Sequence, residues 1–191
     1  MSVVMSDFEQ TVRSAIRAAR TRCVALIVAA LLGTTSVAAA PSDSRTASEN
    51  QVKAGFLFNF ARFVEWPVKT SGPLIIGVVG DERFVKALEQ VLRDRTVEGR
   101  PVMARHLRDG NDPSPCDLLF IPSSWRGRAA DVLQGTRGPI LTVGESVQFL
   151  RDGGIVRLYV EDSRIKFQIS RENATTAGLK ISSHLLNLAS R

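Results

Sequence analysis

Residues 74–81, Leu74-Ile75-Ile76-Gly77-Val78-Val79-Gly80-Asp81, decide the fold. The run up to Val79 is wholly apolar and rich in β-branched side chains, with no polar alternation, which is the pattern of a strand buried on both faces. Gly80-Asp81 then ends it, and Phe84, Val85, Leu88, Val91 and Leu92 recur at helical spacing over residues 82–93, with Asp81 placed to cap the helix. A buried strand running directly into an amphipathic helix is the repeating unit of an α/β protein.

Working toward the C-terminus, the unit recurs. A second strand is expected over 102–107, then a loop over 108–115 containing Asp109-Gly110-Asn111-Asp112-Pro113. A third strand follows at 117–121, apolar from Leu118 onward, and Pro122-Ser123-Ser124 leads into a helix reaching about Gln134. Gly138-Pro139 punctuates before a fourth short strand at 140–143 and a short helix at 145–151. The last third changes period: Val156, Leu158 and Val160 alternate with more polar neighbours, and Ile165, Phe167 and Ile169 do the same after Glu161-Asp162-Ser163. That is a β-hairpin, although Ser163 stands where a glycine is expected. Ser170 is placed to cap one final helix, with Ala174, Ala177, Ile181, Leu185 and Leu188 on a single face. The expected fold is a single three-layer, Rossmann-like α/β domain. Its central sheet is mainly parallel, with a C-terminal antiparallel hairpin and a C-terminal amphipathic helix.

Upstream lies the aromatic stretch Lys53-Ala-Gly-Phe-Leu-Phe-Asn-Phe-Ala-Arg-Phe-Val-Glu-Trp-Pro67, which holds four of the nine phenylalanines and one of the two tryptophans. At about 100° per residue, Val52, Phe56, Leu57, Phe60, Phe63 and Val64 share one side of a helix. Arg62 and Glu65 take the other. Pro67 disfavours helical geometry at Trp66, so the helix is expected to stop there with the indole at its end. Phe58 projects toward Arg62 and Glu65, either packed on a second element or exposed to a partner.

The first forty residues stand apart. Arg13, Arg17, Arg20 and Arg22 precede the apolar run 24–32, and Val37-Ala38-Ala39-Ala40 follows, which gives the three parts of a secretory signal peptide over residues 1–40. The apolar core is short for a membrane span, so an uncleaved inner-membrane anchor is the weaker reading. Residues 41–48 read as a flexible lead-in, and 49–191 as the folded domain of an exported chain. Cys23 leaves with the signal, so Cys116 is the one cysteine of the mature chain and no intrachain disulfide is expected. Burial is the expected state of its thiol. Without residues 1–40 the chain carries 21 Lys and Arg against 17 Asp and Glu, interleaved, which gives no support to nucleic-acid binding.

Catalytic chemistry is sparse. His106 and His184 lack paired cysteines and any His-x-x-x-His spacing, so no metal site is expected. Cys116, Asp117 and either histidine could compose a nucleophile and base, but any chain with these residues offers that combination. Ser123-Ser124 lacks the Gly-x-Ser-x-Gly turn, and Gly77-Val78-Val79-Gly80 lacks the third glycine of a dinucleotide turn. No cofactor and no enzymatic activity are expected. A binding or regulatory module fits this poverty of paired groups.

Three blocks together resemble one family. The stretch 53–67, the middle block Leu118-Leu-Phe-Ile-Pro-Ser-Ser124 with Pro139-Ile-Leu-Thr-Val143, and the C-terminal block Arg164-Ile-Lys-Phe-Gln-Ile-Ser170 with Ala177-Gly-Leu-Lys-Ile-Ser-Ser-His-Leu-Leu186 are similar to the YfiR/HmsC-like family of exported proteins, over roughly residues 50–190. The resemblance implies a periplasmic repressor that binds the periplasmic sensor domain of an inner-membrane diguanylate cyclase. Such a protein controls cyclic di-GMP and with it biofilm and exopolysaccharide output. It further implies an outer-membrane lipoprotein as a second partner in some members, and dimers in many. Better-known members carry intrachain disulfides, from which this chain departs. Candidate partner contacts are Phe58, Trp66, Trp125 and Arg126, since Trp and Arg are enriched among binding hot spots. The competing class is a periplasmic small-ligand binder or minor enzyme, using a crevice near Gly80-Asp81 and Pro122-Ser123-Ser124 at the carboxyl ends of the strands. A filled crevice favours the first class and a deep polar pocket the second.

Overall fold

The computed structural model describes residues 42–67, 72–108, 113 and 116–189. The expected signal peptide and most of the 108–115 loop lie outside the described residues. The chain divides into units Met1–Val52 and Lys53–Arg191. Of the first, only the opening of helix α1 (Ser42–Arg62) is described. That helix begins ahead of the expected lead-in boundary: no Gly or Pro separates Ser42 from Ala54, so nothing in the sequence halts it there.

In the second unit, β2 (Leu74–Val79), β4 (Arg100–Leu107), β5 (Leu118–Ile121), β6 (Leu141–Gly144), β7 (Val156–Glu161) and β8 (Arg164–Ile169), with the short β3 (Thr96–Val97), form one seven-stranded sheet. Its order is β3-β4-β2-β5-β6-β7-β8. The pairings β4·β2, β2·β5, β5·β6 and β6·β7 are parallel, whereas β3·β4 and β7·β8 are antiparallel. The α/β expectation is met in its coarse form. The Rossmann-like, mainly parallel description gives way to a mixed sheet with an antiparallel hairpin at each edge. The β3–β4 hairpin is absent from the sequence reading because its arm is two residues long, turning at Glu98 and Gly99 with φ of 50° and 78°.

Burial of the central strands on both faces follows from their apolar runs. Leu74, Ile76 and Val78 join Leu118, Phe120, Leu141, Val143, Val156 and Leu158 in a large cluster with Ala54, Leu57 and Phe60 of α1 and with α2 (Glu82–Leu92). Val79, Leu119, Ile121 and Phe149 belong to a second cluster on the opposite face. Helix α2 is capped as expected, the Asp81 carboxylate accepting from the Phe84 N–H at 2.9 Å. Beyond Pro122 the chain takes a 3-10 helix, Ser123–Arg128, before α3 (Ala129–Gly135). The helix expected over 145–151 is a series of turns, because Phe149 fills the space that side chains at Gly144 and Gly154 would take, and so draws the segment tightly onto the sheet.

Two ends differ from expectation. Helix α1 stops at Arg62 rather than Trp66, and Val64–Glu65 forms strand β1, antiparallel to β9 (Lys180–Ile181). The single C-terminal helix is instead two, α4 (Arg171–Thr176) and α5 (Ser183–Leu188), with β9 between them. Gly178, at φ 72°, supplies the left-handed residue that ends α4, and the Leu179 N–H returns to the Ala174 carbonyl at 2.9 Å. Ser170 and Ser182 each cap the following helix. The β7–β8 turn keeps both central residues left-handed, Asp162 at φ 50° and Ser163 at φ 60°, so serine holds the conformation that glycine usually provides.

Candidate functional site

The carboxyl ends of β2, β5 and β6 form the crevice where α/β folds place ligands. Here it is occupied by the protein itself. Gly80 leaves β2 at φ 68°, its N–H donating to the Leu107 carbonyl at 2.9 Å. A Cβ built on Gly80 would stand 1.9 Å from Nε1 of Trp125, so the indole lies directly against the glycine backbone. Trp125 is half-buried and packs on the second core cluster, while the Arg128 guanidinium sits 4.5 Å from its ring centroid. The 3-10 helix presents that indole, with the Trp125 N–H donating to the Pro122 carbonyl at 2.9 Å.

Glu145, just past β6, pins the beginning of the same helix. Its Oε2 accepts from the Ser123 N–H at 2.6 Å, and its Oε1 meets Lys53 Nζ at 2.5 Å, with side-chain exposures of only 13% for Lys53 and 10% for Glu145. Lys53, the first residue of the aromatic stretch, thereby ties α1 to the ends of β5 and β6. A part-buried carboxylate with two charge-assisted partners is well compensated, and removal of either would leave the other costly to bury.

The remaining sequence candidates separate rather than converge. Cys116 is buried, with Sγ 2.6 Å from where a Gly77 Cβ would be. It therefore shares the face of Gly77 and Leu107, whereas His106 pairs in register with Val78 and points to the opposite face. Asp117 is held at the other end of the strands, accepting from Ile75 N–H at 2.7 Å and pairing with Arg100 at 3.2 Å, while Arg100 also donates to the Gly72 carbonyl at 2.9 Å and the Pro73 carbonyl at 3.0 Å. His184 stacks on Phe63, ring centroids 5.3 Å apart. Cys116, His106, His184 and Asp117 thus form no nucleophile and base. Both glycines of the Gly77-Val78-Val79-Gly80 turn face protein side chains, so the turn offers no cradle for phosphate.

Among the partner candidates, Phe58 is buried at 6% exposure, with the Arg95 guanidinium 4.9 Å and that of Arg62 5.8 Å from its ring centroid. Packing against a second element is therefore its state. Trp66 is half-buried against the core, its Nε1 donating to the Ala61 carbonyl at 3.3 Å. The side chain of Arg126 lies outside the described residues. A cleft of about 270 Å³ opens at the amino ends of β6 and β7, bordered by Leu133, Thr136, Arg137, Ile140, Ile155 and Asn173. Among the described residues no group of His, Cys, Asp and Glu is arranged to hold a metal, and no helix is long and apolar enough to cross a membrane.

What sequence reasoning missed is the pair of contacts that close the crevice. Gly80 stood out as a glycine after a strand, but the residue that needs its bareness lies 45 positions on, and Lys53 and Glu145 are 92 apart. Neither spacing has a local signature.

No curated protein matches the chain. The YfiR/HmsC-like family matches residues 50–190, which takes in the aromatic stretch, Lys53, Trp125 and Glu145. With nearly the whole of the described fold inside that match, the chain belongs to the YfiR/HmsC-like family.

Proposed function

We propose that this protein is a periplasmic regulatory binding protein that represses an inner-membrane diguanylate cyclase by holding its periplasmic sensor domain in one state. Family membership carries the reading. The filled crevice supports it over a ligand-binding or enzymatic role at that place, because Trp125 and the Lys53–Glu145 pair occupy the position a substrate would need. Repression by binding requires different affinity for the two states of the cyclase. Trp66, Trp125 and Arg126 are the proposed contacts, with Phe58 contributing through the guanidinium groups that cover it. Regulated cyclic di-GMP, biofilm and exopolysaccharide output, and a further outer-membrane lipoprotein partner, belong to the same proposal.

Affinity capture from envelope extracts with the tagged full chain tests it. Recovery of a membrane diguanylate cyclase is the expected result, together with raised cyclic di-GMP when the gene is deleted. Unchanged cyclic di-GMP across several envelope stresses, with no cyclase captured, would overturn it.

A further inference from the structure

Two rings of the aromatic stretch alternate with basic side chains. His184 of α5 lies 5.3 Å from Phe63, centroid to centroid, and the Arg62 guanidinium lies 5.9 Å from the Phe63 centroid and 5.8 Å from that of Phe58. The Arg95 guanidinium lies 4.9 Å from Phe58 in turn. Arg62 and Phe58 are one turn apart on α1, so their contact is local. Arg95 arrives from beyond α2, its N–H donating to the Leu92 carbonyl at 3.0 Å.

Both arginines are exposed, and among the described residues neither has an ion pair or a side-chain hydrogen bond, although Glu65 and Asp94 are close in sequence. Arg100 is the contrast, its guanidinium taken up by Asp117 and the Gly72 and Pro73 carbonyls. Two cations on one ring repel each other, and attraction to the ring face offsets part of that cost. Stacking leaves the N–H edge of each guanidinium open. Such an edge pairs bidentately with a carboxylate, and a stacked arginine has less freedom to lose on binding than an unconstrained one.

The rings are closed to the same visitor. Phe58 is 6% exposed and Phe63 is half-buried, so a nucleic-acid base or a sugar finds no clear face to stack on, and recognition falls to charge. Phe63 and the half-buried Trp66, just past the end of α1, add apolar area at the margin, which gives the mix of Arg and aromatic residues found at protein hot spots.

We infer that Arg62 and Arg95 form a docking surface for an acidic segment of a protein partner, whose carboxylates pair with the two exposed N–H edges. The surface rests on the repressor reading above: the partner it fits is a cyclase sensor domain that carries Asp or Glu where it meets the end of α1.

Binding of the full chain to the captured cyclase, measured by surface plasmon resonance over a salt series, tests it. Arg62→Gln with Arg95→Gln should weaken binding by about two- to thirtyfold at low ionic strength, two rim ion pairs being lost, and by less at about 0.5 M NaCl. Arg62→Lys with Arg95→Lys keeps both charges and removes the forks, so the association rate should recover while dissociation stays faster than in the wild type. That pair also keeps cations over Phe58, which guards against a folding defect. Arg83→Gln with Arg151→Gln removes the same charge from exposed arginines elsewhere and should change affinity by less than about twofold. A cyclase that binds the double Gln variant as tightly as the wild type would overturn the inference and leave the repressor reading standing, as would an equal loss in the Arg83 and Arg151 control. Capture of no cyclase by either chain would sink both together. Wild-type binding to phosphatidylglycerol vesicles, lost in the double Gln variant while cyclase binding is unchanged, would assign the arginines to a membrane surface instead.

Discussion

Replacing Gly80 with alanine tests whether Trp125 closes the crevice. The new methyl would be placed 1.9 Å from Nε1 and 2.5 Å from Cε2 of the indole, far inside contact distance, and the indole is a rigid plane rather than the end of a flexible chain. Either the backbone moves or Trp125 leaves its seat. Overpacking of this kind costs about 1–3 kcal/mol. The left-handed φ of 68° adds about 1–2 kcal/mol for any residue with a Cβ. Displacing Trp125 also forfeits the Arg128 contact at 4.5 Å, worth about 0.5–1 kcal/mol at a half-exposed site. The expected loss is therefore about 2–5 kcal/mol if the indole keeps its seat, and about 2.5–6 kcal/mol if it leaves.

The assay is urea unfolding followed by fluorescence in a Trp66→Phe background, where Trp125 is the remaining indole. Gly80→Ala should lower the midpoint and shift native emission to the red. A double-mutant cycle followed by far-UV circular dichroism, which needs no indole, isolates the contact. With Trp125→Ala already present, Gly80→Ala should cost only the backbone share of about 1–2 kcal/mol. Full additivity of the two substitutions, or a Gly80→Ala variant within about 0.5 kcal/mol of the parent, would refute the packing of Trp125 on Gly80.

Lys53→Met should destabilise by about 1–3 kcal/mol in thermal or denaturant unfolding, because Glu145 stays part-buried and keeps the Ser123 N–H but loses its cation, and Lys53→Met with Glu145→Gln should recover part of that loss. Asp117→Ala should cost about 1–3 kcal/mol by the same measurement, since it strands the Ile75 N–H and removes the carboxylate from Arg100, which keeps the Gly72 and Pro73 carbonyls, whereas Asp117→Asn should cost less. Lys86, by hydrogen bond and charge, holds the Glu82 carboxyl below its ordinary range; its small stabilisation is present above that range and lost as pH falls through the lowered value. Glu82→Gln should therefore flatten the acid limb of a stability–pH profile slightly, while leaving stability near neutrality little changed.

Much of the sheet was legible because its information is local. Leu74–Val79 and Leu118–Ile121 announce strands buried on two faces by carrying no polar residue, and Phe84, Val85 and Leu88 announce α2 by their spacing alone. The β7–β8 hairpin was legible from its alternation, and its turn survived the unfavourable Ser163 because ladder pairs on both sides hold the register. The strands β1 and β9 were not legible. Each is two residues long, and each exists only because the other lies opposite it, its pairs 115 and 117 positions apart in sequence. Periodicity carried α1 through to Trp66 and fused α4 with α5 for the same reason: a helical pattern continued past a point where a distant partner claimed the backbone. Phe58 was legible as an anomaly but not in its resolution, since the Arg95 guanidinium over its ring comes from beyond α2.

A filled crevice changes where regulation can be exerted. In an α/β enzyme the carboxyl ends of the strands are left bare so that a ligand supplies the missing contacts. Here Trp125 and the Lys53–Glu145 pair supply them, and the 3-10 helix carrying Trp125 is anchored at its start by Glu145 and through its indole by Gly80. An element held in this way by its own fold has little differential affinity left to give a small molecule, and a ligand shifts an equilibrium only through such a difference. On the proposed reading, discrimination between two states of a cyclase therefore falls to the outer surface, where a half-buried ring such as Trp66 can gain burial without reorganising the core. That expectation separates the two functional classes by position: substitutions lining the crevice should act through stability, and substitutions on the outer rim through affinity for the partner.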